Sequence, residues 1–152
     1  MQGQASHFHR HPTQRNPYAL QRYIGETERL YGILNTHLSS HHSHPYTHRD
    51  YIVGPGPGVY SIADIANFAW VNVAYFAGVD LGKFPALEKW WRRMGERPAV
   101  RRGLGVPGVS RVGNEVYLRR LQEEPDFKAK EDELREFGEK AKEMYNYKYA
   151  SP

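Results

Sequence analysis

The chain has 152 residues, 39% of them apolar, 25% charged and 13% aromatic, with a formal net charge of +4 and no cysteine. That length and aromatic content suit one folded domain with tails and argue against disorder as the dominant state. The lack of cysteine excludes a disulfide scaffold, a thiol nucleophile, a thiolate zinc site and dithiol redox chemistry carried by these residues alone.

The opening M-Q-G-Q-A-S-H-F-H-R has neither the apolar region of a signal peptide nor the bias of a transit peptide, which predicts a cytoplasmic protein. Residues 2–10 read as the last turns of a helix, weakly anchored at a chain start. A second helix is predicted over 18–38, with Pro17 in its first turn and Leu20, Tyr23, Ile24, Leu30, Tyr31, Leu34 and Leu38 on one stripe. Residues 39–60, rich in Ser, His, Pro and Gly, form a long connection in which G-P-G-P-G is a surface turn.

Ser61 then opens a helix as its N-cap, with its hydroxyl accepting from the Asp64 N–H and the Asp64 carboxylate reaching back to the Ser61 N–H. Tyr60 packs on Ile65 as a hydrophobic staple, and the helix is expected to continue to about Ala77, with Gly78 as its stop. Its charge-free stretch, 65–79, is shorter than the roughly 18 apolar residues that a membrane span needs, so no membrane association is expected.

A further helix starts at Phe84 and Pro85 and places Leu87, Trp90, Trp91 and Met94 at helical spacing, before Gly95 and Pro98 end it and 99–102 add a turn. The glycines and proline of 103–108 mark the expected domain edge, giving a helical domain over 1–108 and a charged amphipathic tail over 109–152. In that tail Phe127, Leu134, Phe137, Ala141 and Met144 repeat near the helical period. No run of strict alternation competes with these helices, so the predicted class is all-α.

Four groups invite chemistry. His7, His9 and His11, and His41, His42, His44 and His48 in the connection, offer imidazoles, but no carboxylate or cysteine completes either set at ligand spacing, so no metal site is expected beyond adventitious affinity. Trp90, Trp91, Arg92 and Arg93 imitate a nucleic-acid surface, yet both indoles fall near the apolar stripe, and no nucleic-acid partner is expected. Asp64 is tempting as a general base on an apolar helix, but its own helix start supplies a partner. It is read as a structural cap whose removal lowers stability by about 1–2 kcal/mol. Tyr145, Tyr147 and Tyr149 form an aromatic tail, read as a disordered terminus.

Three motifs in order carry a family resemblance: R-Y-x-x-E-T-x-R-L-Y-x-x-L over 22–34, Y-S-I-A-D-I-A over 60–66, and F-P-A-L-x-x-W-x-x-R-M-x-x-R-P-A-V over 84–100. Together they resemble the C-terminal half of glutathione S-transferases, and the match extends over about 1–108. The opening M-Q-G-Q-A-S-H-F followed by P-Y-A-L-Q-R-Y is most similar to the branch of fungal nitrogen-regulator-like transferases and bacterial glutathione-dependent disulfide reductases.

The resemblance implies a helical bundle from a cytosolic, dimeric enzyme that uses glutathione as substrate. Such enzymes conjugate it to small apolar electrophiles or reduce glutathione-linked disulfides. By the same resemblance Arg22 reaches glutathione, and Gln4, His7 and Phe8 face the electrophile pocket or the interface. The bland reading of Arg22 is a helix arginine paired with Glu26, and that of Gln4, His7 and Phe8 is a frayed terminus. Family members carry their glutathione-activating groups on a thioredoxin-like domain ahead of this half, and no such segment precedes Met1 here. The only Val-Pro pair, Val106 and Pro107, has no strand before it to make it a copy of that domain's cis-proline. The expected partners are therefore a second copy or a thioredoxin-like domain, and no residue of this chain is assigned as catalytic. The alternative is a stand-alone, non-catalytic helical interaction module.

Overall fold

The computed structural model describes residues 1–11, 15–39, 49–108 and 113–145. Among the described residues there are seven α-helices: α1 (Gln2–Arg10), α2 (Pro17–Ser39), α3 (Ile62–Val71), α4 (Pro85–Glu96), α5 (Pro98–Leu104), α6 (Asn114–Glu123) and α7 (Pro125–Tyr145). Short 3-10 turns occupy Tyr75–Ala77 and Leu81–Lys83, and an isolated bridge joins Val53 to Val59. The class is all-α. The chain gathers into two units, one built from Met1–Arg29, Val73–Asp80 and Arg111–Pro152, the other from Leu30–Asn72 and Leu81–Ser110. The long helix α2 gives its first part to one unit and its second part to the other.

The second unit is organised by α4, whose Leu87, Trp90, Trp91 and Met94 recur at i, i+3, i+4 and i+7 and are all buried. Phe68 and Val71 of α3 and Tyr31 and Leu38 of α2 are buried in the same unit, with Phe68 edge-on to Trp90 and Tyr31 edge-on to Phe84. Helix α4 has no capping side chain of its own. Its start is capped at a distance by Asn35 of α2, whose Oδ1 accepts from the backbone N–H groups of Ala86 at 2.9 Å and Leu87 at 3.2 Å. In the G-P-G-P-G turn Gly58 has φ +92°, and a Cβ there would run into the Tyr51 carbonyl, so the turn that pairs Val53 with Val59 needs glycine at this position.

Helix α3 is shorter than its apolar run predicts and ends at Val71, not near Ala77. The side chain of Asn72 is held where the helix stops, its Oδ1 accepting from Trp91 Nε1 at 3.0 Å. Three residues later the Tyr75 N–H donates not to a helical carbonyl but to Asn114 Oδ1, at 3.1 Å. Gly78 then ends the 3-10 turn with φ +79°. Hydropathy could not mark this break, because every residue from Val71 to Ala77 except Asn72 is apolar or aromatic.

In the first unit, α1 is docked rather than frayed. Gln2, Ala5 and His9 are buried, and Arg10 reaches the carbonyls of Phe76 and Tyr75 and the carboxylate of Glu131 on α7. The anchor lies more than a hundred residues away in sequence, so no local pattern announces it. On α7 the buried positions are Glu131, Leu134 and Ala141, whereas Met144, expected on the stripe, is exposed. On α2 the expected stripe is buried at Leu20, Tyr31 and Leu38, but Leu30 is exposed and Gln21, Glu26 and Thr27 are buried instead.

Gly78 links this turn to α1. A Cβ at Gly78 would lie 3.1–3.2 Å from three atoms of the His9 ring, on a backbone that L residues adopt only at a cost. Gly78→Ala is expected to lower stability by about 1–2 kcal/mol. Urea unfolding checks this, and an unchanged midpoint would contradict it.

Candidate functional site

Of the residues singled out near the start of the chain, His7 and Phe8 on α1 meet the first half of α2 at Tyr23. Phe8, half-buried, stacks parallel on Tyr23 with ring centroids 5.7 Å apart and planes within 5°. The edge of His7 meets Phe8 at 5.1 Å. Arg22, the neighbour of Tyr23 in sequence, is half-buried, and Gln4 and His7 are exposed. The result is a wall of two stacked aromatics carrying an imidazole, with a guanidinium on the adjoining position of α2. Tyr23 is the member that sequence reasoning missed, because it was assigned to the apolar stripe. Its spacing from the proline at the helix start gives no hint of a partner on α1.

Glu26, buried one turn beyond Arg22, accepts two hydrogen bonds from Arg29, at 2.8 Å from Nε and 2.9 Å from Nη2. These bonds, joined by the charges of Arg29 and Arg22, hold its carboxyl below the usual carboxylate range against the opposing effect of burial. The folded state therefore favours the carboxylate. This contribution to stability is present above the ordinary carboxylate pKa and is lost as acid protonates the group. Glu26 is held by a forked Arg29 contact, and the Arg22 charge acts on the same carboxylate.

In the second unit Asp64 is fully buried and does more than cap. Its Oδ2 accepts from the Ser61 N–H at 3.0 Å and lies 3.2 Å from Ser61 Oγ, which in turn accepts from the Ala63 N–H at 3.2 Å. Its Oδ1 accepts from the Ile52 N–H at 3.0 Å and from Trp90 Nε1 at 2.9 Å. Ser61 and Asp64 thus fix the start of α3, the connection before it and the central indole of α4. All four hydrogen bonds are structural, and they leave Asp64 without an open lone pair aimed at solvent.

The histidines and arginines do not assemble into further sites. His9 is turned into the first unit, whereas His7 and His11 are exposed with ring centroids 6.5 Å apart. Among the described residues no three imidazole or carboxylate side chains gather around a point. The histidines at 41, 42, 44 and 48 and the tyrosines at 147 and 149 lie outside the described residues. Trp90 and Trp91 are buried, each with its indole N–H bound. Arg92 pairs with Glu88 and Arg93 with Asp50. The peptide bond between Val106 and Pro107 is cis, in an exposed segment with no strand before it. No helix among the described residues is long and apolar enough to cross a membrane.

One surface has no counterpart in the predicted core. Helix α3 presents Ile62, Ile65, Ala66, Ala69 and Trp70 to solvent, with Ile62 81% exposed and Ile65 and Trp70 each 53% exposed. These positions follow i, i+3, i+4, i+7 and i+8, the spacing of one helix face, and none is charged. Its opposite face holds Asp64, Phe68 and Val71, so the helix is apolar on both sides.

Comparison with known proteins fits this layout. The family model for the glutathione S-transferase C-terminal domain matches residues 5–98. The disulfide-bond oxidoreductase YfcG of Escherichia coli is 39% identical over 104 residues, covering 68% of this chain and 43% of YfcG. YghU, a disulfide-bond oxidoreductase of the same bacterium, is 28% identical over 141 residues, covering 88% of this chain and 45% of that protein. The transcriptional regulator URE2 of Saccharomyces cerevisiae is 30% identical over 126 residues, 68% of this chain and 36% of its own. The chain spans less than half the length of each of these relatives. The three sequence motifs lie within or against the matched region, on α2, at the start of α3 and along α4 and α5, and the chain belongs to the glutathione S-transferase family through its C-terminal helical domain.

Proposed function

We propose that this chain is the helical half of a cytosolic glutathione-dependent enzyme that conjugates glutathione to small apolar electrophiles or reduces glutathione-linked disulfides. The observation that carries this reading is the wall formed by Phe8 stacked on Tyr23, with His7 at its edge; Arg22 is the next residue to Tyr23 on α2. Stacked rings suit an apolar electrophile, and a guanidinium suits the carboxylates of glutathione. The thiolate-stabilising groups lie outside these residues, on a thioredoxin-like domain. The uncharged face of α3 is where that domain docks, since the relatives are more than twice the matched length and the face is built for an apolar partner. In this reading residues 1–108 form the family domain, 109–152 an amphipathic appendage, and the active form is a homodimer. The exposed α3 face also favours a second reading, a non-catalytic module that binds another protein there.

With the chain joined to a thioredoxin-like domain of its family, Arg22→Ala is expected to raise KM for glutathione about tenfold or more, the loss of one charge-assisted hydrogen bond. Steady-state kinetics with glutathione varied checks this. An unchanged KM removes Arg22 from the glutathione site. A joined protein that is folded but shows no turnover favours the binding module.

A further inference from the structure

His9 sits on the buried side of α1, only 5% exposed, with its ring laid against the backbone of Gly78 at the end of the 3-10 turn. Its Nδ1 is buried without a hydrogen-bond partner among the described residues. The charges that act on it are those of Arg10 and Glu131, and further titratable groups stand on the elements of the same unit. Arg10 follows it on α1, Glu131 lies on α7, Tyr117 on α6, and Tyr75 and Asp80 on the segment that carries Gly78. Glu131 is the carboxylate in reach, and it is already engaged by Arg10 and by the Tyr117 hydroxyl at 2.8 Å. The Asp80 carboxylate accepts from Tyr75 on the exposed side. A proton on His9 would therefore place a second cation beside Arg10, with its buried Nδ1 still without a partner among the described residues.

We propose that α1 is an acid-released arm: uptake of a proton by His9 frees α1 from the 73–80 segment and from α7, and carries Gln4, His7 and Phe8 away from Tyr23. The geometry stands without reference to the enzyme reading and goes beyond it. Burial, with the Arg10 charge added and Glu131 opposing, pushes the docked imidazole from 6.5 down to about 4. The released arm exposes an ordinary histidine that binds protons near 6.5. Between those limits the released form binds more protons than the docked form, so its population rises as pH falls. The rise approaches tenfold per pH unit between those limits, amounts to about 80-fold from pH 6.5 to 4, and is small above pH 7.

The test is amide hydrogen exchange of residues 2–10 in the 152-residue chain between pH 7.5 and 4.5, corrected for intrinsic rates, in the natural protein and in His9→Gln. The natural protein is expected to lose protection in α1 below pH 6.5 while α4 keeps its own, and His9→Gln, which cannot take up the proton, is expected to show a flat profile in α1. Equal pH dependence in the two proteins, or a flat profile in the natural one, overturns the proposal. Should His9→Gln fail to fold, the imidazole resonances of the natural protein decide. A docked His9 that titrates near 6.5 overturns the proposal, and one that stays neutral until α1 exchanges freely supports it.

Discussion

Glu131→Ala is expected to lower the unfolding free energy by about 3–5 kcal/mol, the cost of leaving one member of a buried ion pair alone. Arg10 and Glu131 have side chains 9% and 4% exposed, and Arg10 is bound at both guanidinium nitrogens and at Nε, where it donates to the Phe76 carbonyl at 2.8 Å. Its guanidinium also lies over the Phe76 ring, 4.5 Å from the centroid. Without the carboxylate, Arg10 remains desolvated, because a guanidinium stays charged in proteins. Tyr117 loses the acceptor for its hydroxyl. Its burial and that hydrogen bond already hold the phenol above the usual tyrosine range. The double variant Arg10→Met with Glu131→Met is expected to recover most of the loss, because the charge is removed with its partner. Urea unfolding of the three proteins measures this, and a loss below about 1 kcal/mol for Glu131→Ala would show that α1 is not held through this pair.

Asp64→Ala is expected to cost about 3–5 kcal/mol, more than a helix cap alone. The cap accounts for about 1–2 kcal/mol. The remainder comes from the Ile52 N–H and the fully buried Trp90 Nε1, which lose their acceptor together. Asp64→Asn keeps one oxygen but turns an amide donor toward other donors, so it should recover only part of the loss. Trp90→Phe in the Asp64→Ala background separates the terms, because the second substitution removes one of the orphaned donors. A double variant that costs less than the sum of the two single variants agrees with the account. Additive losses would mean that the indole contact contributes independently of Asp64.

These two residues show what the sequence made legible. Ser61 and Asp64 stood out because capping is local and its spacing is fixed by the geometry of one helical turn. Trp90 was legible as core through its period, but that its N–H would meet Asp64 was not, because the pairing joins α3 to α4 through the fold. Glu131 stands four residues after Phe127 and three before Leu134, on the helical stripe itself. A carboxylate at a stripe position is a signal for a buried partner, and its charge caused it to be passed over. Arg10 gave no such signal, since an arginine at the end of a short helix is ordinary. The break after Val71 was hidden by uniform hydropathy, and the exposed face of α3 was hidden for the same reason. A helix apolar on every side reads as buried whether or not its partner lies within the same residues. For the candidate site, the family motifs pointed to Arg22, His7 and Phe8, and the stack on Tyr23 emerged only once α1 and α2 were placed side by side.

The central claim is that this helical domain supplies the substrate wall and not the thiol chemistry. It is tested most directly by measuring glutathione turnover, with a small apolar electrophile and with a glutathione-linked disulfide, by the 152-residue chain alone and by the same chain joined to a thioredoxin-like domain of its family. The account predicts no turnover above background for the chain alone and measurable turnover for the joined protein. Turnover by the chain alone would contradict it, because the groups that activate glutathione would then have to lie among these residues.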